Sequence, residues 1–166
     1  MRLTASVIIP MAPAHVPQIA ELERATFSAP WVEDAVRAEL DNPLSLWLVA
    51  ADGEDVLGYV GSQTVFEDTD ILNVAVKPAA RRRGIAETLM RALEQRLILH
   101  GAQRITLEVR ISNAPALALY EKRGYVRVGL RRNYYEKPLE DALILQKRLL
   151  CRTSDACPYK TEKENR

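Results

Sequence analysis

Two stretches of the chain carry residues able to do chemistry. The first is Ile105-Thr106-Leu107-Glu108-Val109, a strand-like apolar run broken by one carboxylate. Strand alternation puts Glu108 on the face opposite Leu107 and Val109. A carboxylate so placed is either exposed in a cleft or paired, and a partly buried one is a usable base near neutral pH. A salt bridge to Arg104 or Arg110 is the structural alternative. Asn113 follows, a residue type that caps helices. Tyr120 lies seven residues beyond it, about two helical turns, so the two share a face. Its hydroxyl is a proton donor, or belongs to a core tyrosine with one satisfied hydrogen bond.

The second stretch is Ile71 to Met90. A run of apolar residues ends at Pro78, and Arg81-Arg82-Arg83-Gly84-Ile85-Ala86 opens a helical pattern. A helix start presents unpaired N–H groups and the positive end of the macrodipole. Gly84 and the small Ala86 let a ligand come close to the backbone. With three arginines added, the pattern suits a phosphate or pyrophosphate. No Lys-Ser or Lys-Thr follows the glycine, so this is not a P-loop, and the three-glycine dinucleotide fingerprint is absent too. A solvated basic loop ahead of an amphipathic helix is the alternative.

Positioning these residues requires a mixed sheet. Ser6 to Ile9 reads as a strand. Ile19, Leu22 and Phe27 stripe a helix from Val16, and Pro30 suits the start of a second that carries Val32, Val36 and Leu40. Leu46 to Ala51 and Val56 to Val65 read as a hairpin about Asp52-Gly53. Glu67 to Asp70 reads as a polar turn before a central strand, Ile71 to Val76. Ile85, Leu89, Leu93 and Leu97 line one helical face, with Gly101 as C-terminal glycine. Strand 105–109 and the Asn113 helix follow, ending at Gly124. Tyr125 to Val128 reads as a strand, Gly129 as a turn, Arg131 to Tyr135 as a loop and Ala142 to Leu149 as the last strand. The order β-α-α-β-β-β-α-β-α-β-β predicts an α/β fold with a mixed sheet and helices on both faces.

Composition bounds the rest. The chain has 166 residues, 48% of them apolar, and a net charge of +1. That suits one domain with its own core, expected over 1–150, and excludes disorder or general nucleic-acid binding. No apolar run approaches the roughly 18 residues of a membrane span, and the N-terminus is not a secretory signal. Both cysteines, Cys151 and Cys157, fall in the polar tail 151–166, which excludes a disulfide framework or zinc site and fits a reducing cytoplasm. His15 and His100 have no ligand cluster, so no metal is expected.

Taken in order, these segments resemble the GCN5-related N-acetyltransferase (GNAT) superfamily and, within it, the RimI-type ribosomal-protein alanine N-acetyltransferases. Arg81, Gly84 and Ala86 match the superfamily's Gln/Arg-x-x-Gly-x-Gly/Ala signature. More specific are Pro30-Trp31, NVAV at 73–76, LEVR-x-SN at 107–113, ALYEKRGY at 118–125, RRNYY at 131–135 and EDA at 140–142. The resemblance covers residues 3–149. It implies a mostly antiparallel sheet splayed at the cofactor site, with acetyl-CoA as acetyl donor. Val74, Ala75 and Val76 would hold the pantetheine arm and acetyl carbonyl along a strand edge. Arg81, Arg82, Arg83, Gly84, Ile85, Ala86 and Glu87 would cradle the pyrophosphate, and Asn113 would bind the cofactor arm. Glu108 would accept the proton and Tyr120 donate one. Tyr134 and Tyr135, in the loop between the last two strands, would bind the acceptor peptide opposite Phe27 and Trp31.

The implied acceptor is a protein N-terminus, most simply the N-terminal alanine of a ribosomal protein. The enzyme would be a monomer or weak dimer. A small amine, a lysine side chain and a non-catalytic acetyl-CoA-binding module are the alternatives. Glu23, Glu67, Asp68 and Asp70 would favour a basic acceptor. The five residues between Tyr135 and Asp141 are short for the family.

Overall fold

The fold is taken from a computed structural model that describes residues 6–149. Cys151, Cys157 and the tail lie outside the described residues. Strand β1 (Val7–Pro10) leads through a turn of 3₁₀ helix to α1 (Val16–Thr26). His15 Nδ1 closes that 3₁₀ turn by accepting the Ala12 N–H at 2.9 Å. Helix α2 (Glu33–Ala38) follows. Its start falls three residues after the expected Pro30, for two reasons. Trp31 N–H is drawn to the Glu23 carboxylate at 3.0 Å, outside any helical pattern. Glu33 and Asp34 then sit in the first turn, where the macrodipole favours acids.

Strands β2 (Ser45–Asp52), β3 (Asp55–Val65) and β4 (Asp68–Val76) form the meander. The polar turn expected at 67–70 is shorter than that. Phe66 takes φ +56° at the tip, and Asp68 already belongs to β4. The reason is period-two alternation, with Asp68 and Asp70 exposed and Thr69 and Ile71 buried. Helix α3 (Ile85–Leu99) buries Ile85, Leu89, Leu93 and Leu97 to 4% exposure or less, and Gly101 follows its cap at φ +85°.

Strand β5 (Arg104–Arg110) and helix α4 (Ala114–Lys122) precede a long final hairpin, β6 (Val126–Glu136) and β7 (Leu139–Arg148). The expected turn at Gly129 and loop at 131–135 are instead continuous strand. Register shifts near Gly129 and after Arg131 bend β6 without ending it. The Asp141 carboxylate stabilises the second shift by accepting Asn133 N–H at 2.8 Å, with Asn133 at φ +52°.

The seven strands run in the order β1-β2-β3-β4-β5-β7-β6. Only β4 and β5 are parallel. Alternation along β2 feeds both faces. Leu48 and Ala50 join the core under α3 and α4, while Trp47, Val49 and Ala51 join the one under α1 and α2.

The α3 side also buries a charge. Glu94 accepts hydrogen bonds from Arg123 at 2.6 Å, Lys147 at 2.8 Å and Tyr125 at 3.2 Å, joining α3 to the end of α4 and to β7. Burial pushes its carboxyl up, but the two cations outweigh this and hold it below its ordinary value of 4.5. A depressed carboxyl contributes stability above that value and loses it as pH falls through the folded one. Glu94→Gln is therefore expected to cost ~3 kcal/mol at neutral pH, because it strands two half-buried cations. Urea unfolding as a function of pH checks this: wild type should lose stability below 4.5 and the variant should show a flatter slope there.

Candidate active site between strands β4 and β5

Strands β4 and β5 pair only over Asp68–Arg104, Thr69–Ile105 and Asp70–Thr106. Beyond these positions they diverge, and a cleft of about 1170 Å³ opens between them. On the far side of β4, Lys77 N–H donates to Leu57 O at 2.8 Å. Alternation therefore turns the N–H and C=O groups of Val74 and Val76 the other way, toward the cleft. At the end of that edge, beyond the cleft lining, the Val76 carbonyl accepts from Arg81 Nε at 3.1 Å. Ala75 points its side chain into the α1 core and is 4% exposed.

On the opposite wall, Leu107 and Val109 are buried and Glu108 faces the cleft, as alternation requires. Its partner is neither Arg104 nor Arg110. Arg131 of β6 approaches Glu108 Oε1 at 3.3 Å, while Arg104 pairs with Asp68 and Arg110 with Glu140. Asn113 caps α4 by accepting Ala116 N–H at 3.3 Å. Asn113 and Tyr120 both line the cleft. Tyr120 is 7% exposed and sits edge-on to Tyr125 at 5.5 Å. Burial, then the neighbouring Tyr135, pushes its phenol well above the ordinary 10.0, so it is a protonated donor at neutral pH. Its hydroxyl takes no hydrogen-bond partner among the described residues.

Phe27 and Trp31, between α1 and α2, line the same cleft across from Tyr134 and Tyr135. These tyrosines lie on β6 beside the hairpin turn rather than in a loop. Burial, then Tyr134, pushes the Tyr135 phenol up to about 12. Glu23, expected among surface acids, is fully buried behind this wall. It accepts Trp31 N–H, the Asn73 amide at 2.8 Å and the Tyr59 hydroxyl. Of the other acids proposed to face an acceptor, Asp70 lines the cleft, whereas Asp68 is spent on Arg104.

Residues 81–87 stand apart from these groups and do not line this cleft. They form the turn from β4 into α3. Arg82 takes φ +61° and Gly84, the N-cap, φ +73°. The first intrahelical bond is Thr88 N–H to Gly84 O at 3.0 Å, which leaves the N–H groups of Ile85, Ala86 and Glu87 for an outside acceptor. A Cβ built on Gly84 would meet nothing within 4 Å, so the approach is open. The Glu87 side chain turns back to Lys122 at 2.9 Å.

A carboxylate, a protonated phenol and an open strand edge in one cleft can take a proton, give one and hydrogen-bond a carbonyl. Sequence reasoning missed what Glu23, Asn73, Arg131 and Arg110 pair with, since most of those partners are distant in the chain. For Arg110 one signal was available, since alternation puts it on the same face as Glu108.

The architecture defines a class. The acetyltransferase (GNAT) family matches residues 16–125, and the chain belongs to that family. Its relatives narrow this further. A putative [ribosomal protein bS18]-alanine N-acetyltransferase of Bacillus subtilis is 39% identical over 78% of this chain and 87% of that protein. The N-alpha-acetyltransferase RimI of Mycobacterium tuberculosis is 35% identical over 81% of this chain and 87% of that protein. The crystal structure of the Escherichia coli ribosomal-protein-S18-alanine N-acetyltransferase superposes with a TM-score of 0.81 at 27% identity, over 90% of this chain and 97% of that one. Arabidopsis thaliana NAA60 in complex with acetyl-CoA shares the fold, with a TM-score of 0.77, at 18% identity over 87% of this chain and 98% of that one.

Among the described residues no group of three or more His, Cys, Asp or Glu is placed to hold a metal ion, and no helix is long and apolar enough to cross a membrane. The left-handed N-cap yields a test of the α3 turn. Gly84→Ala should lower stability by about 1 kcal/mol from its positive φ alone, with no steric clash, as read by thermal unfolding.

Proposed function

We propose that this chain transfers the acetyl group of acetyl-CoA to a protein N-terminus, most simply the N-terminal alanine of a ribosomal protein. The observation that carries the reading is Glu108 and Tyr120 lining one cleft beside the unpaired edge of β4, in a chain whose relatives carry that activity in their names. Residues 1–150 are the catalytic domain, working in the cytoplasm where ribosomal proteins are made, as a monomer or weak dimer.

Acetyl-CoA brings the acetyl group as a thioester. Backbone groups of Val74 and Val76 would align its arm as an added strand along the open edge, with Ala75 between them bonded to β3, and an N–H on that edge would stabilise negative charge on the thioester oxygen. The N–H groups after Gly84 and the charges of Arg81, Arg82 and Arg83 suit its pyrophosphate. Asn113 would contact the arm from α4. Phe27, Trp31, Tyr134 and Tyr135 would flank the acceptor. The acceptor nitrogen attacks only when neutral, and Glu108 would remove its proton. The new C–N bond forms as the C–S bond breaks, and the Tyr120 hydroxyl would protonate the departing sulfur.

Incubating the protein with acetyl-CoA and peptides of varied first residue tests this. Transfer to an Ala-starting peptide is expected. Robust transfer to small amines with none to any Ala- or Ser-starting peptide would overturn it. Glu108→Gln and Tyr120→Phe should each lower kcat on the order of 100-fold. The pH profile carries the sign of the Tyr120 shift: kcat/KM should rise through about pH 8 as the α-amine loses its proton. Because the Tyr120 phenol is raised, no descending limb should appear below about pH 10.

A further inference from the structure

Arg110 stands two residues beyond Glu108 on the same face of β5, and its contacts reach both lips of the acceptor side of the cleft. Toward the β6–β7 turn, Nη1 donates to Pro138 O at 3.1 Å and Nη2 to Lys137 O at 3.1 Å. Toward the α1–α2 connection, Nη2 donates to Ser28 Oγ at 3.2 Å. The guanidinium also lies 4.1 Å from the centroid of Tyr135 and pairs with Glu140 at 3.2 Å. Glu140 is fixed in turn by the Ser112 N–H at 2.6 Å.

This layout follows from the short hairpin. Only Lys137 and Pro138 separate β6 from β7, so the turn leaves two carbonyls at the rim, and one planar fork of donors takes both. A lysine has the charge but not the fork. The α1–α2 connection has no strand or helix of its own between Phe27 and Val32. Among the described residues, the side chains that anchor it by hydrogen bonds are Glu23 on the inside and Arg110 across the rim.

We propose that Arg110 is a positioning residue that ties the Lys137–Pro138 turn to the Ser28 segment and so presets the width of the acceptor side of the cleft. The inference rests on the reading of this cleft as an acceptor site. Presetting both lips spares the ordering entropy that a peptide would otherwise bear on binding. Losing the tie therefore weakens the peptide and leaves both the acetyl-CoA edge on β4 and the chemistry of Glu108 and Tyr120 in place.

Steady-state kinetics of Arg110→Ala, Arg110→Lys and Ser28→Ala test it against wild type. Both Arg110 variants should raise KM for an Ala-starting peptide at least about tenfold, roughly 1.4 kcal/mol. KM for acetyl-CoA and kcat should stay within about threefold. Ser28→Ala should raise the peptide KM less, and should add nothing in the Arg110→Ala background, because the two act through one contact. Amide hydrogen exchange of the substrate-free protein reads the same tie without activity: residues 27–31 and 134–139 should both exchange faster in Arg110→Ala. Unchanged exchange in either segment, an unchanged peptide KM, full function in Arg110→Lys, or an equal loss in both KM values would overturn the proposal. A wild-type protein that acetylates no peptide fails the functional reading instead, and exchange still decides the role of Arg110.

Discussion

The site depends on how little β4 and β5 share. Three paired positions hold them together at their N-terminal ends, and nothing in the ladder holds them after that. Each strand is meanwhile committed to its other neighbour, β4 to β3 as far as Val76 and β5 to β7 as far as Arg110. The sheet therefore forks at its centre. An unpaired strand edge inside a sheet leaves backbone polar groups without partners, which is costly unless water or a ligand supplies them. The fork is pinned on its closed side, where Arg104 pairs with Asp68 at 2.6 Å and Gln103 N–H reaches Glu67 O at 2.8 Å. Those contacts decide where the opening begins, and so which residues of β4 and β5 face each other across it.

A forked sheet needs walls that do not collapse into the gap, and the α1 side supplies one from the core outward. Glu23 is a buried carboxylate whose desolvation is offset by three donors, from the backbone at Trp31, from β3 through Tyr59 and from β4 through Asn73. It fastens the Phe27–Trp31 segment to the strand that bears the open edge. Trp31 also meets Trp47 edge-on at 5.6 Å, and Trp47 stacks on Tyr59 at 5.6 Å. That stack requires Gly61, since a Cβ there would lie 2.6 Å from Trp47 Cε2. The glycine in β3 is thus a condition for the position of a cleft residue two elements away.

Element types and order were legible because they rest on local signals. The α3 stripe, the Asp52-Gly53 hairpin and the Asn113 cap each involve residues within a few positions of one another. The alternation that put Glu108 opposite Leu107 and Val109, and the seven-residue spacing of Asn113 and Tyr120, held for the same reason. Polar strand was harder to read. Asp68-Thr69-Asp70 and Arg131 to Tyr135 look like turns by composition, yet cross-strand pairing with β3 and β7 makes them strand. Long-range partners were not legible at all. Nothing local joins Glu108 to Arg131 or Arg110 to the turn at 137–138, because those contacts exist only once β7 has paired with β5 and carried β6 and the turn with it.

The near-neutral charge takes a different meaning in the folded chain. Several of the acids that the sequence offers are engaged: Glu87 with Lys122, Glu94 with Arg123 and Lys147, Asp68 with Arg104, Glu140 with Arg110 and Glu108 with Arg131. The acidic surface expected around Glu23 and 67–70 shrinks accordingly, and at the cleft itself Asp70, Glu108 and Glu136 stand among Arg110, Arg131 and Lys137. Arg82 and Arg83 are exposed, and no carboxylate pairs with them among the described residues. They flank the free amides at the start of α3. Positive charge is thus left unspent beside a helix N-terminus, while the charges within the fork are balanced, so a polyanionic cofactor is drawn to the start of α3 and not to the acceptor side of the cleft.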